Sequence, residues 1–513
     1  MQTVAEPTAS QPDGQIPKRP WYHLTPDRLL LALLPILGLL FLSERYRWFP
    51  FNEHKNWTVL IAVAVVCAAV VLLLIWLGVS LVSRLRFQFS IRSLLLFVAV
   101  VAVTCSWFTV KMQQAERQRE AVEAIENVSG DVSYDYETDA NDNWLRWAPP
   151  PGPSWLRNLV GVDFLSRVVS VSLHEYGFPE ATDAELKQLK ELTGLKTLHL
   201  SGSAATDVRL VHLRGLKSLA FLNLSDAPLT GAGLVHLQEL TNLKSLRLDD
   251  TRLSDAGLVH LQGLTHLRFL MLSSTEITDG GLTNLKGLTG LEELWLVNTS
   301  ITDAGLVHLK GLTSLQSLWL GGTQIGDAGL MHLKGMTGLR RLDIRGNQAA
   351  DTLLMRLTRL MRFFWSYFDK TPQVTDGGLV HLKGLASLEF LNLDYTEVTD
   401  AGLMHLKGLK SLESLGLTRT RVTDTGLVHL QGLASLRTLF LGNTKVTDAG
   451  LAHLKAMTDL KWLALDFTQV TNAGLMHLQA LKSLEMLGLQ NTQVTDAGVQ
   501  DLQKALPNCQ ISH

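Results

Sequence analysis

The sequence predicts an α/β protein in which a solenoid of short strand–helix units follows a group of apolar helices. Two observations carry this prediction: a 24-residue pattern recurs through the later part of the chain, and long uncharged runs lie before residue 111. The chain has 513 residues, which is more than one hydrophobic core normally organises. We therefore expect separate membrane and repeat regions.

The repeat is marked by the aspartate of a recurring Thr-Asp-Ala-Gly pattern. Successive markers lie 24 residues apart, except for one step of 25 between Asp351 and Asp376. The marker positions are Asp183, Asp207, Gly231, Asp255, Asp279, Asp303, Asp327, Asp351, Asp376, Asp400, Asp424, Asp448, Asn472 and Asp496. A fixed period of this length indicates a solenoid in which each unit buries its apolar face only against its neighbours.

Within one unit, the spacing of the leucines changes from three to two. We interpret Asp303 as the N-cap of a short helix or of tight helical turns. The inward stripe of that helix is Leu306, Leu309 and Leu312. The strand that follows points three leucines inward: Leu315, Leu318 and Leu320. Because side chains alternate along a strand, Ser317 and Trp319 should face the opposite way.

The full motif, D-A-G-L-x-H-L-x-x-L-x-x-L-x-x-L-x-L-x-x-T, resembles the leucine-rich repeat family. Thr occupies the position where that family commonly has Asn, as at Thr275 and Thr299. The resemblance implies a horseshoe-shaped solenoid with a parallel sheet on its concave side and helices on its convex side. The apolar helices, charged loop and connector also resemble membrane-anchored leucine-rich repeat proteins of planctomycete-type bacteria.

Two segments are long and apolar enough to be transmembrane helices. Trp57 to Ser83 contains 27 residues without a charge, and Ser93 to Val110 contains 18. At about 1.5 Å per residue, the first crosses a ~30 Å hydrocarbon core with length to spare. Leu29 to Leu42 is shorter and contains Pro35, so it is either a third span or an interfacial segment. The prediction is an integral protein of the cytoplasmic membrane with two or three transmembrane helices.

The charge of the loop between the two strong helices predicts their orientation. That loop, "RLRFQFSIR", holds Arg84, Arg86 and Arg92 and no acidic residue, as is typical of cytoplasmic loops. The second helix then runs outward and the repeats are extracytoplasmic. Lys111, Arg117 and Arg119 follow that helix and weaken the asymmetry.

The predicted organisation has five parts. They are a polar tail over 1–26, a membrane region over 27–110, a connector and N-terminal cap over 111–165, the repeat array over 166–496 and a C-terminal cap over 497–513.

Both ends of the array need a cover for their exposed leucines. At the first end we expect a helix over "AERQREAVEAI" and, ahead of the first full unit, a strand over "FLSRVVSVSL". The same cap should include an alternating strand at Val132, Tyr134 and Tyr136, with shielding by Trp144, Trp147 and Trp155. "LQKALPNCQIS" should cover the other end.

Ten histidines fall five residues after the marker, as His308 does after Asp303. The main interpretation is a surface or inter-unit hydrogen bond copied by duplication. A stack that becomes charged near pH 6 is a second possibility. A metal site is disfavoured, because ligands of one zinc ion must lie much closer together than equivalent residues of successive units.

The outward-facing strand positions are the candidate binding surface. Aromatic side chains recur there, and Trp295 and Trp319 should stack, as should Trp365 and Phe390. Phe440 and Trp462 continue this group towards the C-terminus. Cross-strand pairing that only stabilises the sheet is the alternative.

One unit breaks the pattern. In "MRLTRLMRFFWSYFDKTPQV", Phe363, Ser366 and Phe368 replace leucines, and a residue is inserted around Pro372. The expected surface here has two strands, the first lined by Arg341, Asp343 and Arg345, and the second by Trp365 and Tyr367. We place the partner-contact hotspot between residues 341 and 371, although a decayed, merely tolerated unit would look the same.

The sequence favours a membrane-anchored binding module with a protein or glycan partner. The alternative is an architectural or adhesion protein of the cell envelope without a single ligand. A net charge of −2 disfavours nucleic acid, and three scattered cysteines define neither a disulfide framework nor a thiolate metal site. No phosphate-binding loop, HExxH motif or nucleophile elbow is present, so we expect no enzyme activity, catalytic residue, metal or cofactor. Lipid contacts should come from the N-terminal helices.

Overall fold

The computed structural model describes residues 33, 35–43, 57–82, 91–138, 145, 148–173, 182–346 and 374–513. The chain divides into two compact units. The first comprises Met1–Arg117 with Asp135–Arg167, and the second comprises Gln118–Tyr134 with Val168–His513. The predicted connector, 111–165, is thus shared between the two units.

The first unit is built on two long apolar helices, α1 (Trp57–Val82) and α2 (Ile91–Asn127). Two short helices follow, α3 (Ser154–Val160) and α4 (Val162–Leu165), and residues 35–43 are also helical. Helices are therefore confirmed where both strong spans were predicted. Among the described residues, one helical stretch, Leu94–Asn127, is long and apolar enough to cross a membrane, and Trp57–Leu72 is a shorter apolar stretch.

The second unit contains one sheet of fifteen strands in chain order. The first two strands pair antiparallel, and every later neighbour pairs in parallel. The strands are β1 (Asp131–Tyr134), β2 (Val168–Leu173), β3 (Thr197–Leu200), β4 (Phe221–Asn223), β5 (Ser245–Arg247), β6 (Phe269–Met271), β7 (Glu293–Trp295), β8 (Ser317–Trp319), β9 (Arg341–Asp343), β10 (Phe390–Asn392), β11 (Ser414–Gly416), β12 (Thr438–Phe440), β13 (Trp462–Ala464), β14 (Met486–Gly488) and β15 (Gln510–Ser512).

Short helices connect the strands, as the leucine spacing predicts. The α-helices are α5 (Asp183–Gln188), α6 (Asp255–Leu258), α7 (Asp279–Leu282), α8 (Asp327–Leu330), α9 (Asp376–Leu379), α10 (Asp400–Leu403), α11 (Asp424–Leu427), α12 (Asp448–Leu454), α13 (Asn472–Leu475) and α14 (Asp496–Ala505). Most continue into, or are replaced by, a 3-10 turn such as Thr283–Leu285 or Gly305–Leu309.

A single ribbon of leucines fills the space between the strands and the helices. In the unit of Asp303, the six predicted inward leucines are at most 1% exposed: Leu306, Leu309, Leu312, Leu315, Leu318 and Leu320. The same cluster runs without a break from Ala121 to Cys509. Burying such a side chain contributes about 1.5–3 kcal/mol, and most of that burial comes from neighbouring units.

The prediction that Asp303 caps its own helix is wrong. Its carboxylate instead accepts a hydrogen bond from the backbone N–H of Gly326, in the next unit, at 2.7 Å. The helix N-cap is commonly the threonine before the marker, as at Thr399, whose Oγ1 accepts from the Ala401 N–H at 3.3 Å. Where an α-helix begins at the marker, as at Asp400, the marker is the first helical residue and its side chain reaches the adjacent unit.

These carboxylates form a ladder from unit to unit. Asp376 accepts from the Thr399 N–H at 2.8 Å and from the Thr399 hydroxyl at 2.6 Å. The hydroxyl thus donates to one unit while it accepts from its own helix. Partial burial raises the pKa of Asp400, but hydrogen bonds from the Thr423 hydroxyl and amide outweigh it and hold that pKa below its ordinary value. The link at Asp400 therefore carries a charged carboxylate at neutral pH.

β9 and β10 are neighbours in the sheet although they are 49 residues apart in the sequence. Arg341–Asp343 pairs directly with Phe390–Asn392, and the irregular unit predicted to follow β9, residues 347–373, lies outside the described residues. The carboxylate ladder also connects these two parts of the chain, because Asp327 accepts a hydrogen bond from the N–H of Thr375, 48 residues later, at 2.8 Å.

The two caps agree with the prediction in part. Ala121, Val122 and Ile125 of α2 are buried in the leucine core, and Leu502, Leu506 and Cys509 close its other end. Trp155, however, belongs to the first unit and is 66% exposed, so its predicted shielding of the leucines is wrong. Trp144 and Trp147 lie outside the described residues.

The ladder requires glycine two residues after the marker. An added Cβ at Gly402 would collide with the Asp376 carboxylate and would lie 2.9 Å from Leu379 Cδ1. We expect Gly402→Ala to lower the free energy of unfolding by about 1–3 kcal/mol, measured by chemical denaturation of the full chain in detergent. Gly384→Ala is the matched control, since nothing lies within 4 Å of the added carbon. Equal stability of the two variants would refute the close-approach argument.

Candidate binding face

The candidate site is the open face of the sheet, formed by the first and third residues of each short strand. The middle residue is a buried leucine, so its two neighbours point away from the core. Of the predicted site residues, Trp295, Trp319, Arg341, Asp343, Phe390, Phe440 and Trp462 occupy these positions. Arg345 follows two residues after β9, whereas Trp365 and Tyr367 lie outside the described residues.

An aromatic cluster occupies the middle of this face. The Trp295 and Trp319 rings stack with centroids 4.5 Å apart and planes 22° apart, which confirms their predicted contact. Because β9 pairs with β10, the Phe390 ring comes within 5.5 Å of Trp319. The predicted partner of Phe390, Trp365, lies outside the described residues.

The indole nitrogens of Trp295 and Trp319 differ in their hydrogen bonding. Trp295 Nε1 donates to Glu293 Oε1 at 2.6 Å. Trp319 Nε1 is buried and has no hydrogen-bond partner among the described residues. Both indoles are only half-exposed, so much of their area stabilises the sheet rather than facing solvent.

A charged cluster lies beside the aromatic one. Asp343 is 1% exposed, and its carboxylate lies 3.3 Å from Arg345 Nε. Burial raises the pKa of Asp343, and it raises the pKa of Asp394, which is near it, to about 6. Asp343 therefore faces Arg345 within the fold, whereas Arg341 is exposed.

A cleft of about 520 Å³ opens over the last units of the array, and we call it the C-terminal cleft. Its apolar wall includes Trp462, Phe467 and Met486, which are 41%, 58% and 40% exposed. Phe440 packs edge-on against Trp462, with ring centroids 5.0 Å apart. Exposed apolar side chains in such a concentration are typical of interaction sites.

Small residues create the depth of the C-terminal cleft. Gly442, Ala464 and Gly488 line it at positions where other units carry larger side chains. Asp466 and Gln490 add polar groups, and the Arg419 guanidinium lies 5.1 Å from the Tyr395 ring centroid. The cleft therefore combines an apolar wall with a charged and polar rim.

Three bulky residues of the cleft adopt a left-handed backbone conformation. The φ angles of Tyr395, Arg419 and Phe467 are 61°, 56° and 58°. The equivalent turn position in other units holds residues that adopt this conformation more readily, such as Asp250, Ser274, Asn298, Gly322 and Asn443. Such residues typically cost of order 1–3 kcal/mol and cluster at functional sites.

Phe440 and Trp462 were predicted from the sequence as residues of the binding surface. Four other residues of the C-terminal cleft were not predicted: Tyr395, Arg419, Phe467 and Met486. A signal for three of the four was present, because an aromatic or arginine side chain replaces the usual turn residue two positions after the last inward leucine of the strand. The hotspot predicted at 341–371 is only partly described, so it stays a prediction.

Comparison with known proteins identifies the family. A family model of the leucine-rich repeat region matches residues 172–509. The chain belongs to the leucine-rich repeat family. No curated protein matches it.

Solved leucine-rich repeat structures are among the proteins to which the chain is similar. One is an internalin from Listeria monocytogenes, with 23% identity and a TM-score of 0.48 over 64% of this chain and 88% of that chain. Another is a leucine-rich repeat protein of Leptospira interrogans, with 19% identity and a TM-score of 0.40 over 64% of this chain and 86% of that chain.

The ten histidines that follow the marker by five residues lie on the helical side of the leucine-rich repeat array, and their rings are partly exposed. Gln238 Nε2 lies 3.3 Å from His260 Nδ1, which supports the inter-unit interpretation at that position. Burial and the nearby Lys310 lower the pKa of His332, so this imidazole becomes charged only below its ordinary pKa. No group of three or more His, Cys, Asp or Glu side chains in the described part of the chain is arranged to hold a metal ion.

The raised pKa of Asp394 predicts a pH-dependent stability difference. The folded chain keeps this proton up to about pH 6, whereas the unfolded chain loses it near pH 4. The contribution of Asp394 to stability therefore falls as pH rises through that window. We expect Asp394→Asn to be more stable than the parent by about 1–2 kcal/mol at pH 7.5, and to lose this advantage by pH 4.

Denaturation of the full chain in detergent at both pH values measures this difference. Asp459→Asn removes an exposed carboxylate and is the matched control. An Asp394→Asn variant that is equally or less stable than the parent at pH 7.5 would contradict a raised pKa of this partly buried carboxyl.

Proposed function

We propose that this leucine-rich repeat protein is a membrane-anchored binding module that captures a protein partner on the open face of its sheet. The observation that carries the proposal is the C-terminal cleft, where Trp462, Phe467 and Met486 expose apolar surface beside a polar rim. Aromatic anchors of this kind dominate the energy of protein interfaces, and methionine adapts its shape to a partner.

Backbone strain adds a second line of support. Tyr395, Arg419 and Phe467 hold a conformation that asparagine or glycine would adopt more easily. The presence of large side chains at these three strained positions favours a role in contacting a partner over a role in stabilising the turn. An architectural role without a single ligand needs no such concentration at one end of the array.

The anchor is proposed from α1 and α2. Both are long and apolar, and the exposed side chains of α2 include Leu94, Leu95 and Val98. Lipid would cover these side chains in a bilayer of ordinary thickness.

The proposed binding site can be tested by site-specific photo-crosslinking. A benzophenone amino acid at position 467 should form an adduct with a protein of the native cell envelope. The same amino acid at Met404, which is 48% exposed on the helical side, is the matched control. We expect Trp462→Ala to weaken binding of the purified partner at least about tenfold, as for a residue at an interface hot spot.

Two results would contradict this proposal. Adducts that form equally well at positions 467 and 404 would remove the preference for the cleft. An adduct that resists proteases but is cleaved by glycosidases would show that the partner is a glycan and not a protein.

The proposed orientation places the array outside the cytoplasmic membrane, because the arginine-rich loop between α1 and α2 would stay in the cytoplasm. Protease added to intact spheroplasts should then degrade the array, while a cytoplasmic marker survives. Degradation that requires lysis of the spheroplasts would reverse the orientation.

A further inference from the structure

Helix α3 has two apolar edges, and the fold covers only one of them. Leu156 and Val160 are each 9% exposed, whereas Trp155 and Leu159 are 66% and 71% exposed. The members of each pair are four residues apart, so each pair lies on one side of the helix. The two pairs are separated by about 100° around the axis, which makes the exposed edge a direct neighbour of the buried one.

The buried edge is packed against the first turns of α1 and against residues 107–115 in the middle of α2. Leu156, Val160 and Phe164 form one cluster with Val59 and Ala115, and the side chains around it are Trp57, Leu60, Val63, Trp107, Phe108 and Met112. The Phe108 and Phe164 ring centroids are 5.6 Å apart. Arg157 Nη1 donates to the Pro150 carbonyl at 3.2 Å, which joins α3 to the proline-rich turn before it.

The sequence around these contacts gives their depth in a bilayer. Polar residues 52–56 precede Trp57, and Lys111, Gln113 and Gln114 follow Val110. Both helices therefore leave the apolar stretch at the end where α3 is packed. Tryptophans are enriched at this boundary, and Trp57 and Trp107 both lie there.

We propose that α3 is a membrane-interface helix whose Trp155 and Leu159 insert at the boundary between the acyl chains and headgroups of the bilayer. Its opposite side carries Ser154, Arg157 and Asn158, as an amphipathic interfacial helix requires. Insertion would cover the two most exposed apolar side chains of this segment and would hold α1 and α2 at a fixed depth. The inference rests on the membrane anchoring proposed above, and it does not depend on the C-terminal cleft.

Spin-label accessibility in the full chain tests this inference. Single cysteines at Leu159, Asn158 and Leu95 are labelled with a nitroxide in a chain whose three native cysteines are replaced by alanine. The chains are reconstituted in vesicles of phosphatidylcholine and phosphatidylglycerol. Collision rates with molecular oxygen, which partitions into lipid, and with a water-soluble nickel chelate are then compared.

The label at Leu159 should show an oxygen-to-nickel collision ratio several-fold above that at Asn158 and should approach the ratio at Leu95. Low ratios at both Leu159 and Asn158, with a high ratio at Leu95, would overturn the interface helix while leaving the anchor intact. A low ratio at Leu95 would overturn the anchor itself, and the interface helix with it.

Discussion

Each repeat unit can bury its leucines only between the units on either side, and the rest of the structure follows from this constraint. A unit supplies one short strand and one or two helical turns, so it has no core of its own. Stacking must therefore keep equivalent leucines level along the whole array. The Asp–Thr ladder helps to enforce that register, because each carboxylate accepts hydrogen bonds from the unit after it.

Direct pairing of β9 with β10 determines which side chains meet in the middle of the open face. When β9 pairs with β10, side chains that are 49 residues apart in the sequence become direct neighbours. Phe390 thereby joins the stacked indoles, and Asp394 joins the ion pair that the buried Asp343 forms with the partly exposed Arg345. The middle of the face thus becomes a packed and charged region, whereas the C-terminal units keep exposed apolar side chains.

Much of this fold could be predicted from the spacing of the leucines, because that spacing indicates which side chains are buried. The inward leucines and the stacking of Trp295 on Trp319 follow from it directly. The N-cap could not be assigned, because Thr and Asp are adjacent and both are good capping residues, and only the geometry shows which one turns towards the next unit. The placement of the irregular unit stays a prediction, because residues 347–373 lie outside the described residues.

The candidate site was harder to predict than the fold. The C-terminal cleft arises from missing side chains at Gly442, Ala464 and Gly488, and a search for aromatic residues does not detect missing volume. Trp155 was assigned to the wrong region for a related reason. Its exposure depends on which neighbours α3 packs against, and no local pattern encodes them.

The arrangement of side chains on the open face of the sheet depends on the direct pairing of β9 with β10. Disulfide formation between cysteines at positions 341 and 390 tests it, because adjacent strands lie about 4.8 Å apart and a disulfide requires Cα atoms within about 7 Å. We expect rapid intramolecular oxidation of this pair in the folded chain, and none between positions 317 and 390. Failure of the 341–390 pair to oxidise, as expected if a strand separates them by about 10 Å, would contradict it.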